Sequence, residues 1–174
     1  MMDKEILFSG QEIADRIQEL GREITTDYSG RSLVLIGVLK GAFMFLADLA
    51  RNIDLPVEID FIRVASYGDA TTTSGTIRLT TIPEIDLTGK DVLLVEDIVD
   101  TGSTLAWLRQ YFKEHQARSV KMCALVDKYE RREQEVVVDY SGFLLEKGFL
   151  IGYGLDHAEQ FRNLPAIYQG VTNE

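Results

Sequence analysis

Apolar residues recur along this chain in two alternating patterns. Ser32–Leu39 (SLVLIGVL), Val92–Val95 within DVLLV, and Val120–Val126 (VKMCALV) are continuous apolar runs. Runs of that length without a polar face suit strands buried on both sides of a parallel sheet. Between them the period changes to that of a helix. Ser9 and Glu12 have capping-box spacing, and Ile13, Ile17 and Leu20 follow at helical intervals. Phe45, Leu46 and Leu49, and later Leu105, Leu108 and Phe112, mark two more helices. Val57, Ile59 and Phe61 alternate with Glu58 and Asp60 as in a half-exposed strand, and Ile77 and Leu79 briefly repeat that pattern. Val136–Val138 and Phe149–Ile151 predict two short late strands.

Strands alternating with helices imply right-handed βαβ units. The expected fold is therefore α/β: an open, mostly parallel sheet with helices on both faces. The short late strands fall outside that repeat and are expected to form a small hood with part of the amino-terminal segment. One domain spanning 1–174 follows, with its core at about 30–140 and the hood from about 1–15 and 141–174.

In such sheets a ligand lies at the carboxyl ends of the strands. Lys40-Gly41, the 96–104 loop and the segment from Asp127 each follow an apolar strand, so they should line one crevice. The most informative is Asp91–Leu105, DVLLVEDIVDTGSTL. Its apolar run leads into Glu96, Asp97 and Asp100, then Thr101, Gly102, Ser103 and Thr104, and then a helix. A turn of small residues opening a helix holds phosphate well, through outward amides, hydroxyls and the positive helix end. Three acids beside it oppose that use, since two like charges ~4 Å apart repel by roughly 4 kcal/mol at an effective dielectric near 20. The conflict disappears if the acids face a divalent cation or sugar hydroxyls, which points to a phosphorylated sugar. A solvated acidic loop with a capped helix is the plainer reading, but two adjacent acids, a third three residues on, and TGST argue against it. The glycine-lysine pattern of a P-loop is absent.

Charge and composition narrow the field. A formal net charge of −10 argues against a nucleic-acid surface. The single cysteine, Cys123, excludes an internal disulfide and sits in an apolar run as a small buried hydrophobe. There is no apolar stretch of signal-peptide or membrane-span length, so a soluble, cytoplasmic protein is expected.

The stretch VLLVEDIVDTGSTL resembles the 5-phosphoribosyl 1-pyrophosphate (PRPP) motif of the type I phosphoribosyltransferases, most closely the hypoxanthine-guanine branch. The resemblance runs from Leu39 to about Pro165 in four motifs that keep the family's order. It implies that Thr101–Thr104 hold the 5-phosphate. Glu96 and Asp97 would engage the ribose hydroxyls and a Mg²⁺ shell, and Asp100 would take the purine proton. Leu39-Lys40-Gly41 resembles the family's pyrophosphate loop, whose Leu-Lys peptide is often cis; Ala42 stands where a second glycine is common.

Other positions have both a bland reading and an implied role. Ser66-Tyr67, opening the polar stretch SYGDATTTSGT, could head a hairpin tip; by resemblance it belongs to a closing lid. Asp127-Lys128 could be an exposed ion pair; by resemblance Lys128 donates to the exocyclic oxygen of a 6-oxopurine, and the Glu130-Arg131-Arg132 that follows is similar to the bacterial members. Lysine has only donors, so it would favour hypoxanthine or guanine over adenine. Phe149 alone reads as a core aromatic, yet its counterpart in the family stacks on the purine while the backbone of Leu150 contacts the base edge. Ile151–Pro165 (IGYGLDHAEQFRNLP) resembles the carboxy-terminal segment, where Asp156 would help bind Mg²⁺ and Arg162 would reach the pyrophosphate.

The implied activity is transfer of phosphoribose from PRPP to hypoxanthine or guanine, with Mg²⁺ required, in a homodimer or homotetramer. Two readings from other classes compete: an RNA- or DNA-binding regulator on the same fold, and a phosphoryl-accepting receiver domain. The first lacks a basic face, and the second has no use for TGST or for the carboxy-terminal segment. An adenine- or xanthine-preferring enzyme is the nearest alternative.

Overall fold

The computed structural model describes residues 4–67 and 76–170. In chain order the elements are β1 (Lys4–Phe8), α1 (Gly10–Asp27), β2 (Leu33–Leu39), α2 (Phe43–Asn52), β3 (Val57–Tyr67) and β4 (Thr76–Thr81). There follow β5 (Asp91–Val99), α3 (Ser103–Glu114), β6 (Ser119–Lys128), β7 (Tyr140–Leu145), β8 (Leu150–Ile151) and β9 (Ile167–Gly170).

Six strands form one sheet in the order β4-β3-β2-β5-β6-β7. Every neighbouring pair is parallel except β3 with β4. Period-two alternation sorts the central strands onto two faces. Leu33, Leu35, Leu93, Val95, Cys123 and Leu125 pack with Ile13, Ile17, Leu20 and Ile24 of α1 and with Phe45, Leu46 and Leu49 of α2. Val34, Ile36, Val92, Leu94, Met122 and Ala124 pack with Leu105, Leu108 and Phe112 of α3 on the other side. The helical stripes read from the sequence are the ones buried, and the sheet is covered on both faces as expected. The Ser9–Glu12 capping box also forms, with both reciprocal hydrogen bonds.

From β2 the chain first goes out to β3, then returns to place β5 on the other side of β2. Strand order therefore reverses between β2 and β5, and a crevice opens at their carboxyl ends. A second sheet, β1-β9-β8, is built from the two ends of the chain.

Three expectations need correction. Val136–Val138 is not a strand: Val136 and Val138 pack beneath α3 as anchors of an irregular segment, and Val137 is exposed. The strand lies a few residues later, in β7. It pairs in parallel with β6, so the hood boundary expected at 141 falls inside a strand of the main sheet. Ile59 is exposed, so the apolar alternation of β3 does not translate into a wholly buried face.

Candidate active site

Each loop at the reversal point is shaped by a different constraint. After β2 the Leu39-Lys40 peptide is cis, and Gly41 follows. A Cβ at Gly41 would fall on the Asp97 carboxylate, so the close approach of the two loops requires glycine there. Ala42 lies in the ordinary helical region (φ −72°) at the start of α2, and no second glycine is needed. The Lys40 ammonium is 2.7 Å from the Glu159 carboxylate.

Glu96 and Asp97 lie within β5 itself, one strand turn earlier than the expected loop. Their side chains line different cavities, yet the two carboxyls remain close enough to act on each other. Glu96 lines a cavity of about 180 Å³ with Asp100, Thr101, Gly102 and Thr104. Asp97 lines a second of about 310 Å³ with Asp100, Lys128, Phe149, Leu150 and Asp156. The Glu96 carboxylate accepts the Asp97 N–H (3.2 Å), and the Asp97 carboxylate accepts the Ile98 N–H (2.9 Å). Burial, then the charge of Asp97, push the Glu96 carboxyl well above the usual carboxylate range. Burial also raises Asp97, opposed by its hydrogen bonds and by the Arg162 charge.

The turn that follows is held open. Gly102 has φ +84°, and a Cβ there would crowd the carbonyl of Gln134. Among the described residues no side chain caps α3, and the Ser103 N–H reaches only the Thr101 hydroxyl, at 3.3 Å. First-turn amides of a helix in this state are available to an anion. Beside them, Oδ1 of Asp100 is buried without a hydrogen-bond partner; Lys128 Nζ is 3.6 Å away.

Lys128 ends β6 and is almost fully buried, donating to the Gly148 carbonyl at 3.1 Å. Phe149 is 38% exposed and meets His157 in a T-shaped arrangement (centroids 5.3 Å, interplanar angle 88°), so it is not closed off from a ligand. Leu150 starts the short strand β8.

The carboxy-terminal segment closes over the β2 loop. Gly154, at φ +99°, approaches the Gly41 carbonyl so closely that a Cβ would not fit. Arg162 donates to the Gly154 carbonyl (2.8 Å) and to Asp156 (2.8 Å) and lies 3.7 Å from Glu159. Asp156 also accepts the Glu159 N–H at 2.8 Å. The resemblance gives Glu96 and Asp97 a Mg²⁺ shell and has Asp156 help bind a magnesium ion. They do not converge: among the described residues no three acidic, histidine or cysteine side chains form a cluster able to enclose an ion. Two adjacent carboxylates with room beside them do suit a hard cation that keeps water and substrate oxygens as ligands, as Mg²⁺ does. Ser66 and Tyr67 end β3, and the lid expected beyond them continues into residues 68–75, outside the described residues.

A family model described as "Phosphoribosyl transferase domain" matches residues 3–158. The chain belongs to the phosphoribosyl transferase family. It is 45% identical over 171 residues to the hypoxanthine-guanine phosphoribosyltransferase of Streptococcus pneumoniae, covering 98% of this chain and 94% of that one. It is 44% identical over 164 residues to the bifunctional protein TilS/HprT of Listeria monocytogenes, of which it spans only 25%. Among solved structures, a hypoxanthine-guanine phosphoribosyltransferase from Bacillus anthracis superimposes with a TM-score of 0.93 at 42% identity, covering 98% of this chain and 100% of that chain.

Within this phosphoribosyl transferase, three residues of the crevice escaped the sequence reading. Glu159 had no local signal, because its partner Lys40 is 119 positions away. Gly154 lies within the carboxy-terminal motif, but its contact with Gly41 is visible only in three dimensions. Arg132 was seen only as part of Glu130-Arg131-Arg132, and its bonds reach back to Asp100.

Proposed function

We propose that this protein transfers the 5-phosphoribosyl group of PRPP to hypoxanthine or guanine, forming IMP or GMP and releasing pyrophosphate. The observation that carries the reading is the junction at Asp100. Its unpartnered carboxylate oxygen lies between the open turn of α3 and the cavity holding Lys128 and Phe149. A sugar phosphate on one side and a flat heterocycle on the other would meet at that carboxylate.

In this mechanism Thr101, Gly102, Ser103 and Thr104 hold the 5-phosphate. Glu96 and Asp97 bind the ribose hydroxyls. Lys40, Gly41 and Arg162 receive the pyrophosphate. For the last role Lys40 must exchange Glu159 for the ligand, an exposed pair that costs little to break, while Arg162 stays held by Asp156 at 2.8 Å. Phe149 stacks on the purine, the Leu150 backbone meets its edge, and Lys128 donates to the 6-oxo group. As the purine nitrogen forms its bond to C1 of the ribose, the bond from C1 to pyrophosphate breaks. Asp100 takes the proton released from the purine. Mg²⁺, when bound by Glu96 and Asp97, with Asp156 as a further carboxylate for the pyrophosphate, would neutralise charge building on the leaving group. Ser66 and Tyr67 serve the lid that excludes water.

Among the described residues no helix is long and apolar enough to cross a membrane. A cytoplasmic setting, a single domain with a terminal hood, and assembly as a homodimer or homotetramer belong to the same proposal. Nothing in the reading calls for nucleic acid or a membrane as partner.

The test is PRPP consumption with hypoxanthine, guanine, xanthine and adenine in turn, with and without Mg²⁺. Turnover with the first two, dependent on the metal, is the expected result. Turnover only with adenine would overturn the role of Lys128, and none with any purine would overturn the whole reading.

A further inference from the structure

Arg132 lies after β6 in an irregular segment, with a side chain only 17% exposed. Its guanidinium joins two loops that otherwise end separately. Nε donates to the Asp100 carbonyl at 3.0 Å. Nη2 donates to the Asp127 carboxylate at 2.5 Å and to the Lys128 carbonyl at 2.8 Å. Its stem runs past Gly102: a Cβ there would sit 3.2 Å from Arg132 Cδ. The next two residues continue the bridge, as the N–H groups of Glu133 and Gln134 both donate to the Thr101 carbonyl, at 2.9 and 3.0 Å.

Two of the three acceptors are main-chain carbonyls of residues with opposite tasks in the reaction proposed above. Asp100 takes the proton, and Lys128 recognises the base. Their side chains stand 3.6 Å apart. A purine is rigid, so its oxygen and its acidic nitrogen reach those two groups together only if the spacing between the loops is held. We propose that Arg132 is a positioning residue that fixes Asp100 relative to Lys128, coupling recognition of the purine oxygen to removal of the purine proton. The inference rests on the transfer reading. The planar fork of arginine is suited to the task, and the ammonium of a lysine cannot reproduce it.

The experiment is a double-mutant cycle. Arg132→Lys and Arg132→Gln are each made in the unaltered protein and in an Asp100→Asn background. kcat, KM for PRPP and KM for hypoxanthine are measured, with Tm recorded for every variant. Misplacement of a reacting group by about 1 Å costs on the order of 100-fold, so both variants should lower kcat by roughly that factor. KM for PRPP should change by less than about threefold, because the phosphate contacts come from the turn itself. In the Asp100→Asn background the same changes should cost less than about threefold, since no carboxylate is left to place. Equal losses in both backgrounds, or normal kcat in Arg132→Lys, would overturn the proposal. If Arg132→Gln alone does not fold, Arg132→Lys completes the cycle. If neither folds, Arg132 holds the fold rather than the site, and the proposal falls. Failure of the unaltered protein to transfer phosphoribose would remove the premise instead, a result distinct from additive losses in an active enzyme.

Discussion

β5 carries a buried carboxylate at each end, and the protein treats the two in opposite ways. At the start of the strand Asp91 is 1% exposed. It pairs with Arg118 and accepts the Ser119 hydroxyl at 2.6 Å. Those bonds, the arginine's first, hold its carboxyl below the usual range despite burial. At the far end Asp97 is also buried, yet its nearest partners are the Ile98 N–H and the carboxyl of Glu96, with Arg162 acting on it only through its charge. Its carboxyl and that of Glu96 are pushed up. A charge satisfied within the fold serves stability, whereas one without a cationic partner at a strand's carboxyl end is the kind that marks a candidate ligand site.

The largest expected effect lies at the ligand end. Asp100→Ala should lower kcat by about 10²–10⁴-fold, the usual worth of a positioned acid or base, with PRPP affinity nearly unchanged. Unchanged turnover in that variant would remove Asp100 from the reaction. Asp97→Asn comes next. Hydrogen bonds to charged groups are worth ~1.5–3 kcal/mol, so KM for PRPP at fixed Mg²⁺ should rise about 10- to 100-fold. An unaffected KM would mean that the uncompensated pair is not a ligand site, and the contrast along β5 would lose its meaning.

At the other end the effect should be on stability alone. Asp91→Ala should cost roughly 0.5–1.5 kcal/mol, the net worth of ordinary hydrogen bonds, because the freed Arg118 and Ser119 donors can reach water, while kcat stays near that of the unaltered protein. Because the folded state lowers the Asp91 pKa from 3.8, the stabilisation is present above that value and is lost as pH falls through the folded pKa. The Tm difference between Asp91→Ala and the unaltered protein should therefore shrink on acidification.

The smallest effect has the opposite sign. Glu96 is raised from 4.5, so above that pH the unfolded chain releases a proton that the folded chain keeps, and stability declines as pH rises. Glu96→Gln lacks that titration. In the absence of ligand its Tm should exceed that of the unaltered protein near neutral pH, by on the order of 2 °C, with the gap closing toward pH 4.5. A gap that widens on acidification would reverse the assignment of the uncompensated carboxyls.

What was legible in the sequence depended on how far apart the interacting residues lie. The α3 turn could be read directly, because strand, acids, small residues and helix are contiguous from Asp91 to Leu105. The two faces of the sheet followed from the helical stripes and the apolar runs. Lys128, Phe149 and Arg162 had no local pattern that singled them out, and only the family resemblance marked them. β7 was missed because Tyr140–Leu145 contains glycine and polar residues; its place is decided by hydrogen bonding to β6. β1, mostly exposed, likewise gains its strand identity from β9. Even the position of Glu96 and Asp97 inside β5 depended on pairing with β6, which carries the ladder past the apolar run.

The pairing of Lys4–Phe8 with Ile167–Gly170 has a consequence for the order of assembly. Contacts between such distant positions require the whole intervening chain, and they form late. A polypeptide emerging from the ribosome could complete the α3 turn and its bridge to Arg132 once β6 and Arg132 are out, well before β9 exists to pair with β8. Until β9 is synthesised, β1 and β8 have no strand to pair with, so the second sheet is the last part of the fold to close.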